Sequence, residues 1–204
     1  MRSSYKATQH TISYYNRSAK EFREDTWDHD VTQNYEALIN SLEGLAPYNL
    51  LDFGCGPGRD LVYFKSLGIN VIGLDGSKEL VKMARSETGC QVLEQNFLEL
   101  DLSENYFDGV FANASLFHIP RQELPFVLSK LHSALKNRGV LFSSNPRGNN
   151  QEEFRNERYC CFYNLKTWEK ILINAGFKKI SHFFRPTGLP RSKQPWLATV
   201  WRKP

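Results

Sequence analysis

DFGCGPGRDL, residues 52–61, sets glycines at 54, 56 and 58, with Pro57 between the last two. Neither a helix nor a strand runs comfortably through such a stretch, so the segment reads as a turn built for close backbone approach to a ligand. The preceding YNLLDF (48–53) has the apolar run of a buried strand, and DLVYFKSLG (60–68) reads as a helix stopped by Gly68. A glycine turn that ends a strand and opens a helix is where α/β sheets bind nucleotide-like ligands. A dinucleotide fold needs G-x-G-x-x-G and a phosphate loop needs G-x-x-x-x-G-K-[ST]. The G-x-G-x-G spacing here meets neither, and Asp52 ahead of it would repel phosphate and favour a cation. Asp75, about 20 residues on, ends the next strand and is followed by Gly76 and Ser77, where a carboxylate can accept from ribose hydroxyls. The ligand implied has a ribose, no phosphate and a positive charge.

The rest of the chain alternates strands and helices, as parallel βαβ units do. NVIGLD (70–75), CQVLEQNF (90–97), FDGVFANAS (107–115) and VLFSSNP (140–146) read as strands. SKELVKMARSETG (77–89), ELPFVLSKLHSALK (123–136, ended by Gly139) and LKTWEKILINAG (165–176) read as helices. KKISHFFR (178–185) and WLATVWRK (196–203) are strands with no helix between them, so they are expected to pair antiparallel. Ahead of residue 47 the sequence looks helical, from Tyr5 to Phe22 and again from Val31 to Leu42. Asp30 and Gln33 form a capping-box pattern for the second helix, and Gly44 its C′ residue. The expectation is one domain of 204 residues, with a helical segment over 1–46 and an α/β core over 47–204.

The net charge of +4 is not gathered into a basic run, so nucleic acid is not expected as a partner. The four cysteines, Cys55, Cys90, Cys160 and Cys161, make no C-x-x-C pair, and the five histidines show no metal spacing. Reduced thiols, no metal, no membrane segment and a cytoplasmic location are expected.

These features resemble the class I S-adenosylmethionine-dependent methyltransferases, from about Leu50 to Lys203. The resemblance implies a Rossmann-like, mostly parallel seven-stranded sheet whose last strand is antiparallel, with an N-terminal helix folded over the cofactor as a lid. Carried over by position, Asp52, Gly54, Cys55, Gly56 and Gly58 surround the methionine portion of S-adenosylmethionine. Asp75 binds ribose, Gly76 and Ser77 flank the adenosine, and Asn96 and Phe97 lie at the adenine. Asn96 stands where many relatives carry Asp. Arg59 could pair with the cofactor carboxylate, while Asp60 suits the N-cap of the following helix better than chemistry. Tyr15 could pack on the sulfonium or bond its carboxylate, or simply pack within its helix.

Asn113 ends the fourth strand, where the family opens towards the acceptor. No N-P-P-[YF] cluster follows it, so a small-molecule acceptor is expected. TWDHDVTQNY (26–35), DFGCGPGRDL (52–61), FANASLFHIP (111–120), SSNPRG (143–148) and GLPRSKQPWLATVWR (188–202) further resemble the methyltransferase part of ovothiol biosynthetic enzymes. That resemblance implies N-methylation of 5-thiohistidine to ovothiol A. It also implies a separate sulfoxide synthase and lyase as functional partners, since that part is usually fused behind a synthase. The chain could act as a monomer or a homodimer.

For such an acceptor, Arg147, Arg158 and Arg191 are candidates for its carboxylate and Asp28 for its ammonium. His118 could orient the imidazole or take its proton, or merely begin a loop. Tyr14, His29, Phe117 and Tyr159 could wall the acceptor, with packing as the plainer alternative for the tyrosines. Three other readings stay open: a methyltransferase for another small acceptor, a non-catalytic cofactor-binding protein and, as a minor third, an RNA methyltransferase.

Overall fold

A computed structural model describes residues 3–204. At its centre lies a seven-stranded sheet. Strands β1 (Asn49–Phe53), β2 (Asn70–Asp75), β3 (Val92–Glu94), β4 (Phe107–Asn113) and β5 (Leu135–Pro146) run parallel. The hairpin strands β6 (Gln151–Arg155) and β7 (Arg158–Phe162) stand apart as a two-stranded sheet. Strand β9 (Trp196–Arg202) is antiparallel both to β5 and to β8 (Lys178–Arg185), giving the order β3-β2-β1-β4-β5-β9-β8. The expected Rossmann-like architecture with one antiparallel strand is therefore present.

Residues alternate in direction along a strand, so β1 feeds two cores. Leu51 and Phe53 join Val110, Leu141 and Trp201 beneath α6 (Leu124–Ala134) and α7 (Leu165–Asn174). Leu50 joins Phe111, Phe142 and Val200 on the other face, covered by α3 (Thr32–Ile39), α4 (Arg59–Ser66) and α5 (Lys78–Thr88). Several polar groups caught in the core are paired, as burial favours, although others such as the Trp201 indole N–H are not. Thr199, for example, bonds Ser143 at 2.9 Å and the Trp168 indole at 3.1 Å.

Several boundaries differ from the sequence reading. The first helix breaks at Ser18 into α1 (Ser3–Arg17) and α2 (Ala19–Thr26), and the Ser18 hydroxyl donates back to the Tyr14 carbonyl at 2.8 Å. Such local bonds compete with helix continuation. The capping box before α3 is half made. Asp30 accepts from the Thr32 amide at 2.9 Å, but Gln33 reaches across to Thr187 instead of turning back. Gly44, at φ +93°, lies in the loop beyond α3 and is not its C′ residue. The third strand shrinks to three residues, which leaves Asn96 and Phe97 in the loop after it. Helix α6 ends at Ala134, and Gly139 lies inside β5, where the pairing with β4 is shifted.

The β6–β7 hairpin was not expected at all. Its Asn156–Glu157 turn has positive φ at both residues (48° and 63°), the geometry of the tight turns that fit strand twist. Glu157 is an unusual residue for that conformation, and QEEFR has no apolar alternation because β6 is largely exposed.

Gly58 starts α4 with φ +98°, and a Cβ there would sit 2.9 Å from Thr88 Cγ2 and 3.1 Å from Ala84 Cα. This glycine lets α4 approach α5. Gly58→Ala is expected to destabilise the fold by about 1–3 kcal/mol, from overpacking added to a left-handed backbone, as read by urea denaturation.

Candidate active site

The carboxyl ends of β1, β2 and β4 open onto a chamber of about 580 Å³, roofed by α1. Gly54 and Cys55 donate their amides to the Leu74 carbonyl at 2.8 and 3.0 Å, which folds the glycine loop back over β2. A Cβ on Gly54 would lie 2.4 Å from Ser115 Cβ, so the loops after β1 and β4 touch backbone against side chain. Gly76 is similarly closed in by Ile12 of α1, at 3.0 Å from an added Cβ. The loops leave room in front for a ligand only because these positions carry no side chain.

Asp75 sits on the chamber floor. Its carboxylate accepts from the Gly56 amide at 3.0 Å and the Ser77 amide at 2.8 Å, while burial pushes its pKa up to about 6. Ser77 caps α5 by accepting from Leu80, and its hydroxyl donates to Asn16, which ties α1 to the α5 N-terminus. Phe97, stacked on Phe53 with centroids 4.2 Å apart, forms an apolar wall.

Beyond Tyr15 and Phe22 the space continues into a second chamber of about 1290 Å³; Gly54, Gly56 and Ala114 border both. At the junction, His118 Nδ1 lies 2.7 Å from the Tyr159 carbonyl and Nε2 lies 2.9 Å from the Tyr15 hydroxyl. A carbonyl only accepts, so Nδ1 carries the proton and Nε2 accepts from Tyr15. Burial pushes the His118 pKa down to about 4, which keeps this neutral form at ordinary pH, and pushes the Tyr15 hydroxyl up to about 12. Arg158 donates to the same hydroxyl at 3.3 Å.

The expected residues divide by position. Tyr15, Gly54, Gly56, Asp75, Gly76, Ser77, Phe97 and His118 line the first chamber; Cys55, Arg59, Asn113, His29, Phe117 and Arg158 line the second. Asn113 is held by Asn34 at 3.0 Å and Asp60 at 3.3 Å. Asp60 is not an N-cap. It lies in the first turn of α4 and accepts from Arg59 Nε at 2.7 Å and the Tyr35 hydroxyl at 2.6 Å. Asn96 accepts from the Leu98 amide and lines neither chamber.

Others fall away from the site. Asp52 shares the Leu50 side of β1 and is buried there, where desolvation and nearby Asp60 raise its pKa well above the carboxylate range. Gly58 packs against α5. Arg147 is occupied with the Gln194 and Arg191 carbonyls, and Arg191 lies over Phe184. Asp28 is exposed outside both chambers, and Asp30 lines the second in its place. Tyr14 lies behind Arg158, whose guanidinium is 4.7 Å from its ring, and Tyr159 contributes its carbonyl while its hydroxyl bonds Glu152.

Arg185 and Trp196 line the second chamber and escaped the sequence reading. Arg185 ends β8, which runs in the same direction as β5. Its position at a strand's carboxyl end was the available signal.

A seven-stranded sheet of this order, with a glycine loop, a strand-end carboxylate and an adjoining second chamber, defines a nucleoside-cofactor transferase fold. The methyltransferase domain family model matches residues 51–143. A methyltransferase of Schizosaccharomyces pombe (strain 972) is 39% identical over 139 residues, which are 65% of this chain and 92% of that protein. A methyltransferase of Geobacillus sp. (strain WCH70) is 28% identical over 109 residues; the chain spans about half of that relative's length (51%). Among solved structures, the 1,6-didemethyltoxoflavin-N1-methyltransferase of Burkholderia thailandensis, with 1,6-didemethyltoxoflavin and S-adenosylhomocysteine bound, superposes with a TM-score of 0.80 at 21% identity. That match covers 100% of this chain and 91% of that one. The chain belongs to the class I S-adenosylmethionine-dependent methyltransferases. Its residues fit that cofactor: side-chain-free backbone at Gly54, Gly56 and Gly76, a carboxylate at Asp75 and the apolar wall of Phe97.

Asp75 and His118 have opposite pH signatures. His118 titrates near 4 folded against 6.5 ordinarily, so its contribution to stability is complete above 6.5 and is lost as pH falls towards 4. Asp75 titrates near 6 folded against 3.8, so its burial penalty is relieved as pH falls through 6. Asp75→Asn removes the second effect alone. Urea titrations of that variant are expected to show a steeper loss of stability between pH 6.5 and 4 than the parent protein does.

Proposed function

We propose that the protein N-methylates a small histidine-derived acceptor, with 5-thiohistidine, giving ovothiol A, as the preferred substrate. The observation that carries this reading is the second chamber. It joins the cofactor chamber at Tyr15 and Gly54, and its lining combines the aromatic residues Phe22, Phe117 and Trp196 with Arg158, Arg185 and Asp30. Apolar walls suit a flat ring, and groups of both charges suit an amino acid. The toxoflavin enzyme, whose name places its methyl group on N1 of its substrate, lends support from the same fold. The distinctive stretches at 26–35, 111–120, 143–148 and 188–202 favour 5-thiohistidine over other acceptors. On this reading a C–S bond-forming enzyme and a lyase supply the substrate.

S-Adenosylmethionine supplies an electrophilic methyl group on a positively charged sulfur. The chain's own contribution is to bind, orient and exclude water, which accounts for large accelerations when reacting atoms are aligned. Gly54 and Gly56 admit the cofactor against the backbone, and Asp75 meets the ribose. Asn113, fixed by Asn34 and Asp60, borders the acceptor side. His118 acts as a positioning residue. Its Nε2 is taken by the Tyr15 hydroxyl hydrogen, so it sets which way the oxygen lone pairs of Tyr15 face. Tyr15 is the group placed to meet the acceptor and the methyl donor together.

Incubation with methyl-labelled S-adenosylmethionine and 5-thiohistidine is expected to give a singly methylated product by mass spectrometry. No turnover of 5-thiohistidine beside turnover of another imidazole, thiol or carboxylate would transfer the reading to that acceptor. Cofactor binding with no methylated product across the panel would remove catalysis altogether. Tyr15→Phe is expected to lower kcat about tenfold, the loss of one hydrogen bond of about 1.4 kcal/mol, with S-adenosylhomocysteine affinity changed less.

A further inference from the structure

We infer that the second chamber selects acceptors that join a planar ring to an oxyanion, carboxylate or phosphate, and that Arg158 and Arg185 bind that anion. The inference rests on the small-acceptor reading above but not on 5-thiohistidine itself. The two guanidinium groups reach the chamber from different elements, Arg158 from the first residue of β7 and Arg185 from the last residue of β8. Neither has an ion-pair partner among the described residues, whereas exposed arginines such as Arg138 and Arg155 pair with Glu43 and Glu153.

Their remaining bonds are weak. Arg158 Nε is buried without any partner, and its bond to the Tyr15 hydroxyl is 3.3 Å long. Among the described residues Arg185 reaches only the Ser144 hydroxyl at 3.5 Å and the Asp30 carbonyl at 3.3 Å. A guanidinium has five N–H donors, and one held partly out of water without a counter-charge is unfavourable. Desolvation accordingly lowers the Arg185 pKa.

The chamber's own carboxylates offset the pair only in part: Asp30 and Asp60 act on Arg185 from a distance, but neither forms an ion pair with it. Asp60 is engaged by Arg59, Tyr35 and Asn113, and one oxygen of Asp30 accepts from the Thr32 amide. A bound oxyanion would complete the arrangement, since planar guanidinium forks match carboxylate and phosphate geometry. Phe117 and Trp196 border the same space and offer faces for a ring.

The test is calorimetry on protein saturated with S-adenosylhomocysteine, using imidazole-4-propionate and histidinol phosphate as anionic probes. Their counterparts without the anion are imidazole-4-propionamide, whose tail is neutral, and histidinol, which keeps the ammonium of histidinol phosphate but lacks its phosphate. The anionic probes are expected to bind at least about tenfold more tightly, the larger gain identifying carboxylate or phosphate as the preferred group. Arg158→Gln and Arg185→Gln should each remove about tenfold of that gain and leave S-adenosylhomocysteine affinity within about twofold. Arg158→Lys and Arg185→Lys, which keep the charge and disturb packing least, should fall in between.

Equal binding of both probe classes, no anionic binding at millimolar concentration, or unchanged affinity in the glutamine variants would overturn the assignment. A loss confined to S-adenosylhomocysteine would also overturn it, by giving the arginines to the cofactor carboxylate. Intact anion preference without turnover of 5-thiohistidine would instead reject only that acceptor.

Discussion

The near-contact between Gly54 and Ser115 is the constraint on which the site depends. Where the loops after β1 and β4 meet, there is no room for one further methyl group. Because they meet there, the glycine loop can fold over β2, present the Gly56 amide to Asp75 and leave a chamber in front. The neighbouring elements repeat the arrangement at lower stringency, with Ile12 against Gly76 and Phe22 against Gly56. Close backbone packing thus shapes the pocket.

The second level of organisation is added to this framework. Helix α1 and the β6–β7 hairpin close over the strand ends and hold each other, as when the Tyr159 amide bonds Thr11 at 3.0 Å. The hairpin's second strand then serves three purposes along two residues. The Tyr159 carbonyl fixes the His118 tautomer, its amide anchors the helix, and Arg158 lines the second chamber. Tyr15 receives the output of this network from two directions and lines both chambers, which makes it the link between them.

What could be read in the sequence follows from the range of the forces involved. The strands, their order of direction and the loop around Gly54 and Asp75 are set by local spacing and apolar runs, and these were legible. So was the chemical type of His118, though not its bonding, because the Tyr159 carbonyl that settles the tautomer is 41 residues away. Choosing among Arg147, Arg158 and Arg191 required the fold. Each looks alike in sequence, yet one is tied up by backbone carbonyls, one lies on an aromatic ring, and one faces the chamber. The hairpin was illegible because an exposed strand of polar residues has no period to reveal. Arg185 stayed hidden because its strand end joins the site only once β9 sets β8 in the same direction as β5, a pairing between distant segments.

The position of β9 has a bearing on how the molecule is made. In chain order it comes last among the strands, but in the sheet it lies between β5 and β8. Strand β8 therefore leaves the ribosome before the only strand it pairs with, and Arg185 has no fixed location until β9 is inserted. During synthesis strands β1 to β4 can assemble while the other side of the sheet still waits for β9, which lies between β5 and β8. A nascent chain would thus order the strand ends around the first chamber before the strand end that brings Arg185 to the second.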